Sequence, residues 1–195
     1  MNKVVWITLG IMAVVAIITL LFAFRSGAIE TPEYTVVRNL NKVEIRRYPK
    51  LVIAKTSLNS ASYDESGNNG FRTIASYIFG GNESQQKIAM TAPVVMSLGD
   101  SSMMYFVMPK KYAIQDLPKP TQPNLSIAEE SAKTMAVLSF GGYSNDAKIK
   151  RHCQELAQIL KENNLQTKGQ YMYMGYNAPW DFVGRRNEVA VEVIE

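Results

Sequence analysis

The spacing of hydrophobic positions changes several times along this chain, and each change marks an element. From Val4 to Phe24 there are 21 residues without a charge, bounded by Lys3 and Arg25. A helix of that length spans about 30 Å, the hydrocarbon thickness of a bilayer, so the run predicts a transmembrane helix. Residues 1–28 then form an N-terminal membrane anchor with a short linker. A cleavable signal peptide is the alternative, with Ser26-Gly27-Ala28 as its cleavage site, although its apolar core is usually only about 7–15 residues long. Lys3 on one side nearly balances Arg25 and Arg38 on the other, which leaves the orientation open on charge alone. The very short N-terminal tail favours a single-pass protein of the inner or plasma membrane with its domain on the exported face.

Beyond the anchor the apolar positions alternate in short runs, as half-buried strands do. Tyr34–Arg38, Val43–Tyr48 and Leu51–Leu58 are three such runs, followed by a polar loop over Ser60–Gly70. Phe71, Ile74, Ala75 and Ile78 then recur at helical spacing, and Gly80-Gly81-Asn82 supplies a left-handed stop. From Gln86 the period returns to two, with Ile88, Met90, Ala92 and Val94 on one face. Met103–Met108 is a further strand, and Pro109–Pro123 is a proline-rich connector. Leu125–Glu129 and Thr134–Phe140 read as strands. Asn145 caps a helix running to Glu162 whose apolar face is Ile149, Cys153, Leu156 and Leu160. Gln170–Tyr176 and Glu188–Ile194 are the last strands.

Both halves thus run strand, strand, helix, strand, which reads as an internal duplication. Two such units can pair their sheets and remove exposed edges. The predicted fold class is α+β: the N-terminal transmembrane helix, then a distorted antiparallel β-barrel of two pseudo-repeats, each carrying one flanking α-helix. Residues 29–195 make this single domain, large enough for a core of its own.

The formal charge is +4, with Lys and Arg interspersed among acids as on a solvated surface, so nucleic acid is not an expected partner. The single Cys153 cannot form an internal disulfide. One histidine, His152, excludes machinery that needs two, and no Cys-x-x-Cys, His-Glu-x-x-His or phosphate-binding glycine loop occurs. No catalytic residue is expected. His152 and Cys153 are adjacent and point about 100° apart on a helix, which is unsuited to a zinc site.

Five segments carry a resemblance. They are Pro32-Glu33-Tyr34, Glu44-Ile45-Arg46-Arg47-Tyr48, Tyr77-Ile78-Phe79-Gly80-Gly81-Asn82, Lys87-Ile88-Ala89-Met90-Thr91-Ala92-Pro93-Val94, and the closing run Gly175-Tyr176-Asn177-Ala178-Pro179-Trp180 through Gly184-Arg185-Arg186-Asn187-Glu188-Val189. Their order resembles that of the SOUL haem-binding protein family. The resemblance implies a distorted β-barrel flanked by two helices. It also implies non-covalent binding of haem, or of other porphyrins, in a surface hydrophobic cleft without a shared axial histidine.

A porphyrin is a wide apolar plate with two carboxylates at one edge, so a cleft for it needs aromatic walls and one or two rim cations. The candidates for the walls are Phe71, Ile74, Tyr77 and Ile78 on the first helix, with Pro179, Trp180 and Phe182 before the last strand. Arg72, Arg185 and Arg186 are the rim candidates. Phe71, Ile74 and Ile78 fit plain core packing as well, and the arginine pair fits an ion pair with Glu188, Asp181 or Glu44. His152 is the candidate axial ligand, imidazole being the commonest protein donor to haem iron. It also fits a boundary histidine with no ligand role, about 60° from the centre of its helix's apolar stripe. Met90, Met172 and Met174 lie at strand spacing and read as core.

The expectation is a membrane-anchored, non-enzymatic protein that binds haem or a related tetrapyrrole reversibly, for storage, buffering or transfer. Two alternatives stand beside it. One is an enzyme that modifies or degrades bound haem. The other is a module for other amphipathic ligands or a protein partner, since the plan is also similar to the small-molecule-binding domains of bacterial multidrug-responsive regulators, which accept amphipathic cations.

Overall fold

The structure is a computed structural model that describes residues 8–14, 17 and 29–194. Nine strands form one antiparallel sheet: β1 (Thr35–Leu40), β2 (Val43–Tyr48), β3 (Leu51–Ser57), β4 (Val94–Leu98), β5 (Met103–Val107), β6 (Leu125–Glu130), β7 (Lys133–Gly141), β8 (Thr167–Gly175) and β9 (Arg186–Val193). Helix α1 (Tyr63–Ile78) joins β3 to β4, and α2 (Asp146–Glu162) joins β7 to β8. A single 3-10 turn, Ile114–Asp116, lies in the proline-rich connector.

The strand order is β1-β2-β7-β9-β8-β4-β5-β3-β6. About the β4–β8 seam it reads outward as β4-β5-β3-β6 on one side and β8-β9-β7-β2-β1 on the other, so β6 joins the strands of the first half while β1 and β2 join those of the second. Only Pro49-Lys50 separates β2 from β3 and only Ser131-Ala132 separates β6 from β7, although these strands stand six places apart in the sheet. So short a link spans roughly 10 Å at most. The sheet must therefore curl until its distant strands come close.

The curl stops short of a barrel. β2 is already bonded to β1 and β7, and β3 to β5 and β6, so neither has an edge left to close the ring. β1 and β6 remain as edges, and the expected distorted barrel is corrected to an open antiparallel sheet.

Alternation along the strands divides the core. Ile45, Ala136, Leu138, Val189 and Val191 face α2, where they meet Ile149, Leu156 and Leu160. Ala54, Met104 and Phe106 face α1 and meet Ile74, Tyr77 and Ile78. The residues between them in sequence, Ile53, Tyr105, Val107, Met135, Val137 and Ala190, point to the opposite face and pack on one another inside the curl without a helix.

The expected anchor is corrected as well. Residues 8–14 and 17 are helical, and the rest of Val4–Phe24 lies outside the described residues. Among the described residues no helix is long and apolar enough to cross a membrane. The single-pass placement and the membrane as a partner go with it.

Helix α1 begins eight residues before the first expected helical position, so most of the predicted Ser60–Gly70 loop is helix. Gly67, Asn68, Asn69 and Gly70 are poor helix formers, and tertiary contacts override them. Gly70 lies so close to β5 and the end of β3 that a Cβ there would stand 2.5 Å from a Leu58 methyl and 3.1 Å from the Met104 sulfur. The predicted strand from Gln86 also moves: the regular strand starts only at Val94, and the residues before it form single bridges.

Candidate functional site

The N-termini of α1 and α2 meet. Ser62 caps α1 by accepting from Glu65 N at 3.1 Å, and its hydroxyl donates to Asp146 Oδ2 at 2.6 Å. Tyr63 N donates to Asp146 Oδ1 at 2.7 Å, while Asp64 Oδ2 accepts from Asp146 N at 3.3 Å. Each carboxylate therefore serves an orphan amide at the other helix's start, where the helix dipole also favours negative charge.

Beside this junction lies an open groove of about 310 Å³ between the first half of α1, the β7–α2 loop and the β8–β9 loop. Tyr63 packs edge-on against Tyr173 at 4.9 Å between ring centres, and Phe71, 37 % exposed, leans on Phe106 at 5.5 Å. Tyr173 donates to Asn187 Oδ1 at 2.7 Å, and Asn187 Nδ2 donates to Gly142 O at 2.7 Å, which ties the groove floor to the loop that carries Tyr143. Burial pushes the Tyr173 phenol well above its ordinary value, so it is a neutral hydrogen-bonding group.

The β8–β9 loop holds itself open. Asp181 Oδ2 accepts from Ala178 N at 2.9 Å, and Asn177 Oδ1 accepts from Arg186 N at 2.7 Å. Arg185 Nη1 donates to the carbonyls of Ala178 and Asp181, both at 2.8 Å. Gly184 takes φ +67°, which a β-carbon would disfavour. With its backbone so occupied, the loop presents Trp180 and Phe182 at 72 % and 78 % exposure between the groove residues Pro179 and Arg185.

Arg185 stands 4.3 Å over the ring of Tyr143. Its Nε is buried without a hydrogen-bond partner, and among the described residues no carboxylate pairs with it. Arg186 is committed elsewhere: it donates to Glu188 Oε1 at 2.7 Å and covers the Tyr176 ring at 4.2 Å. Glu188 is wholly inaccessible and also accepts from Arg46 Nη1 and Nη2 at 3.0 Å, Ser139 Oγ at 2.9 Å and Tyr176 OH at 2.7 Å. Burial alone would raise the Glu188 carboxyl, but Arg46, Tyr176 and Arg186 hold it below the usual carboxylate range.

Among the residues expected from the sequence, the groove brings together Phe71, Pro179 and Arg185; Trp180 and Phe182 stand exposed on the same β8–β9 loop, beside the groove and not lining it. It leaves out others. Ile74, Tyr77 and Ile78 are fully buried under α1, and Tyr77 donates to Pro118 O at 2.8 Å with its phenol pushed up to about 12 by burial. They are core, because α1 turns that face to the sheet. Arg72 is exposed on α1 and does not line the groove, and Arg186 serves Glu188. His152 stacks on Phe140 at 4.1 Å and bonds Glu155 at 3.1 Å, outside the groove. Sequence reasoning missed Tyr63, Gly67, Tyr143 and Tyr173. The Ser62-x-x-Glu65 pattern, a helix-start signature, would have brought Tyr63 and Gly67 into view.

The profile of the SOUL heme-binding protein family matches residues 29–192. The chain belongs to the SOUL family. It is similar to human heme-binding protein 2, with 30 % identity over 177 residues covering 83 % of this chain and 85 % of that protein. Heme-binding protein 1 of Xenopus laevis is 27 % identical over 175 residues, covering 84 % and 92 %. In shape, this SOUL domain is similar to the C-terminal domain of EcmrR, with a TM-score of 0.61, 10 % identity and coverage of 83 % and 98 %. A hydrolase from Listeria innocua has a TM-score of 0.55 at 7 % identity, covering 81 % and 94 %. At such identities these two share the fold alone.

Proposed function

We propose that this SOUL domain binds haem, or a related tetrapyrrole dianion, reversibly and without covalent attachment in the groove between α1 and the β8–β9 loop, for storage, buffering or transfer. The observation that carries the reading is Arg185: a groove-lining cation that no carboxylate pairs with among the described residues. A ligand carboxylate at the rim supplies the counter-charge that the guanidinium lacks. Phe71, Tyr63 and the exposed Trp180 and Phe182 offer the flat apolar contact that a macrocycle needs. The names of the relatives support the same ligand.

A larger cleft of about 770 Å³ lies on another part of the surface, beside Pro32, Leu51 and Tyr112. Volume alone would favour it, but most of its charges are paired, Lys111 over the Tyr112 ring at 4.9 Å being the exception. Lys110 pairs with Glu33 and Lys50 with Glu129, both at 2.7 Å, and Glu30 accepts from Lys110 N at 2.6 Å. The lipophilic-cation reading loses support for a related reason. The fully buried carboxylate of the curled face, Glu188, is already matched to two guanidinium groups.

Hemin titration followed in the Soret region tests the proposal on the wild type and on the Trp180→Ala/Phe182→Ala double variant. Saturable one-to-one binding is expected, weakened at least about tenfold in the double variant at unchanged stability, since each lost stacking contact contributes roughly 1 kcal/mol. Weak, non-saturating association in the wild type would sink it.

A further inference from the structure

We propose that Tyr143 supplies the axial oxygen donor to the metal of a metalloporphyrin held in the groove. The inference rests on the haem reading above and assigns the ligand that His152 does not provide. His152 is stacked on Phe140 and bonded to Glu155, away from the groove.

The groove offers few other donor atoms, and the fold has occupied most of them. Tyr173 is buried and its hydroxyl is committed to Asn187. Asn177 is used at both ends, accepting from Arg186 N and donating to Asp181 at 3.3 Å. Asp64 serves the helix junction through Oδ2 at Asp146 N, which ties its carboxylate to the start of α2, and Asn68 offers only an amide oxygen, a weaker donor than a phenolate. The Met104 sulfur is almost wholly enclosed in the α1 core, and Tyr63 is packed edge-on against Tyr173.

Tyr143 is the most exposed phenol of the groove. It lines the groove, it is 53 % exposed, and its hydroxyl makes one long contact, 3.4 Å to Pro179 O. The lone pairs of that oxygen are open to a ligand. A phenolate is an established protein donor to haem iron. Binding to a ferric centre breaks the phenol O–H bond, releases the proton to solvent and forms one iron–oxygen bond, with no change of oxidation state. The guanidinium of Arg185 stands 4.3 Å over the same ring and helps to hold it at the groove wall.

The test compares hemin with metal-free protoporphyrin on the wild type, Tyr143→Phe and His152→Ala. The wild-type hemin complex should show a phenolate-to-iron charge-transfer band and enhanced phenolate modes in resonance Raman spectra, and His152→Ala should match it. Tyr143→Phe should lose both signatures and bind hemin at least about tenfold more weakly, the scale seen when a metal site loses a supporting contact. It should bind metal-free protoporphyrin as the wild type does, which a merely structural loss would not allow. A phenolate signature that survives in Tyr143→Phe, or saturable wild-type hemin binding without one, overturns the assignment and leaves the haem reading standing. If neither hemin nor protoporphyrin binds saturably to the wild type, the haem reading falls and the assignment falls with it.

Discussion

Replacing Glu188 with Ala leaves two guanidinium groups facing each other across β2 and β9, and its cost can be worked from the contacts. The carboxylate accepts from Arg46, Arg186, Ser139 and Tyr176, and its side chain is wholly inaccessible. Removing one partner of a buried ion pair typically costs about 3–5 kcal/mol, because the other charge stays buried. Arg46 keeps Glu44 at 2.7 Å, and Arg186 is partly exposed, so the lower end of that range is expected. For a domain of this size about 3 kcal/mol corresponds to a fall in Tm of roughly 6–12 °C. Thermal and urea unfolding of the variant measure it. The Arg46→Met/Glu188→Leu double variant should recover much of the loss, since apolar replacement of a buried pair is often near neutral. Acid behaves as a milder form of the same perturbation. The folded carboxyl lies below its unfolded value of about 4.3, so its contribution is present above that pH and is lost as pH falls through the folded value. A Glu188→Ala variant less than about 1 kcal/mol weaker than wild type, or with unchanged acid sensitivity, would refute the assigned role; the lower figure is the usual worth of an exposed pair.

Two further outcomes follow from the same contacts. Asp146→Ala removes acceptors from Ser62 and from Tyr63 N at the helix junction, and should cost about 1–2 kcal/mol in urea unfolding, the scale of a lost helix cap; an unchanged midpoint would show that the junction does not hold the groove wall. The Cys153 thiol is pushed up to about 11 by burial, so at pH 8 it should react with a disulfide reagent much more slowly than free cysteine; equal rates would contradict that burial.

Local pattern carried part of the fold. Val43–Tyr48 alternates, and Ile149, Leu156 and Leu160 recur at helical spacing behind an Asn145 cap, and both elements appear with those bounds. The first half of α1 escaped, because Gly67-Asn68-Asn69-Gly70 reads as loop while contacts with Asp146, Leu58 and Met104 make it helix. Whether the sheet closes is not a local property at all. It depends on β2 and β3 each having two neighbours, which only the pairing order decides. The site divides along the same line. Trp180 and Phe182 stand out as large rings in a loop of glycine and proline, and they are exposed. Ile74, Tyr77 and Ile78 lie on one helical stripe, and periodicity does not say whether that stripe faces a ligand or the sheet. Tyr143 and Tyr173 lie on β7–α2 and β8, and only the β7–β9–β8 pairing brings them beside α1.

Paramagnetic mapping tests the central claim most directly. Hemin added to the isotope-labelled protein should broaden amide signals of residues 63–71 and 175–185 together with Tyr143, and metal-free protoporphyrin should shift the same signals without broadening them. Broadening centred instead on residues 30–33, 49–52 and 107–112, the walls of the larger cleft, would contradict the account, as would broadening spread evenly over the surface.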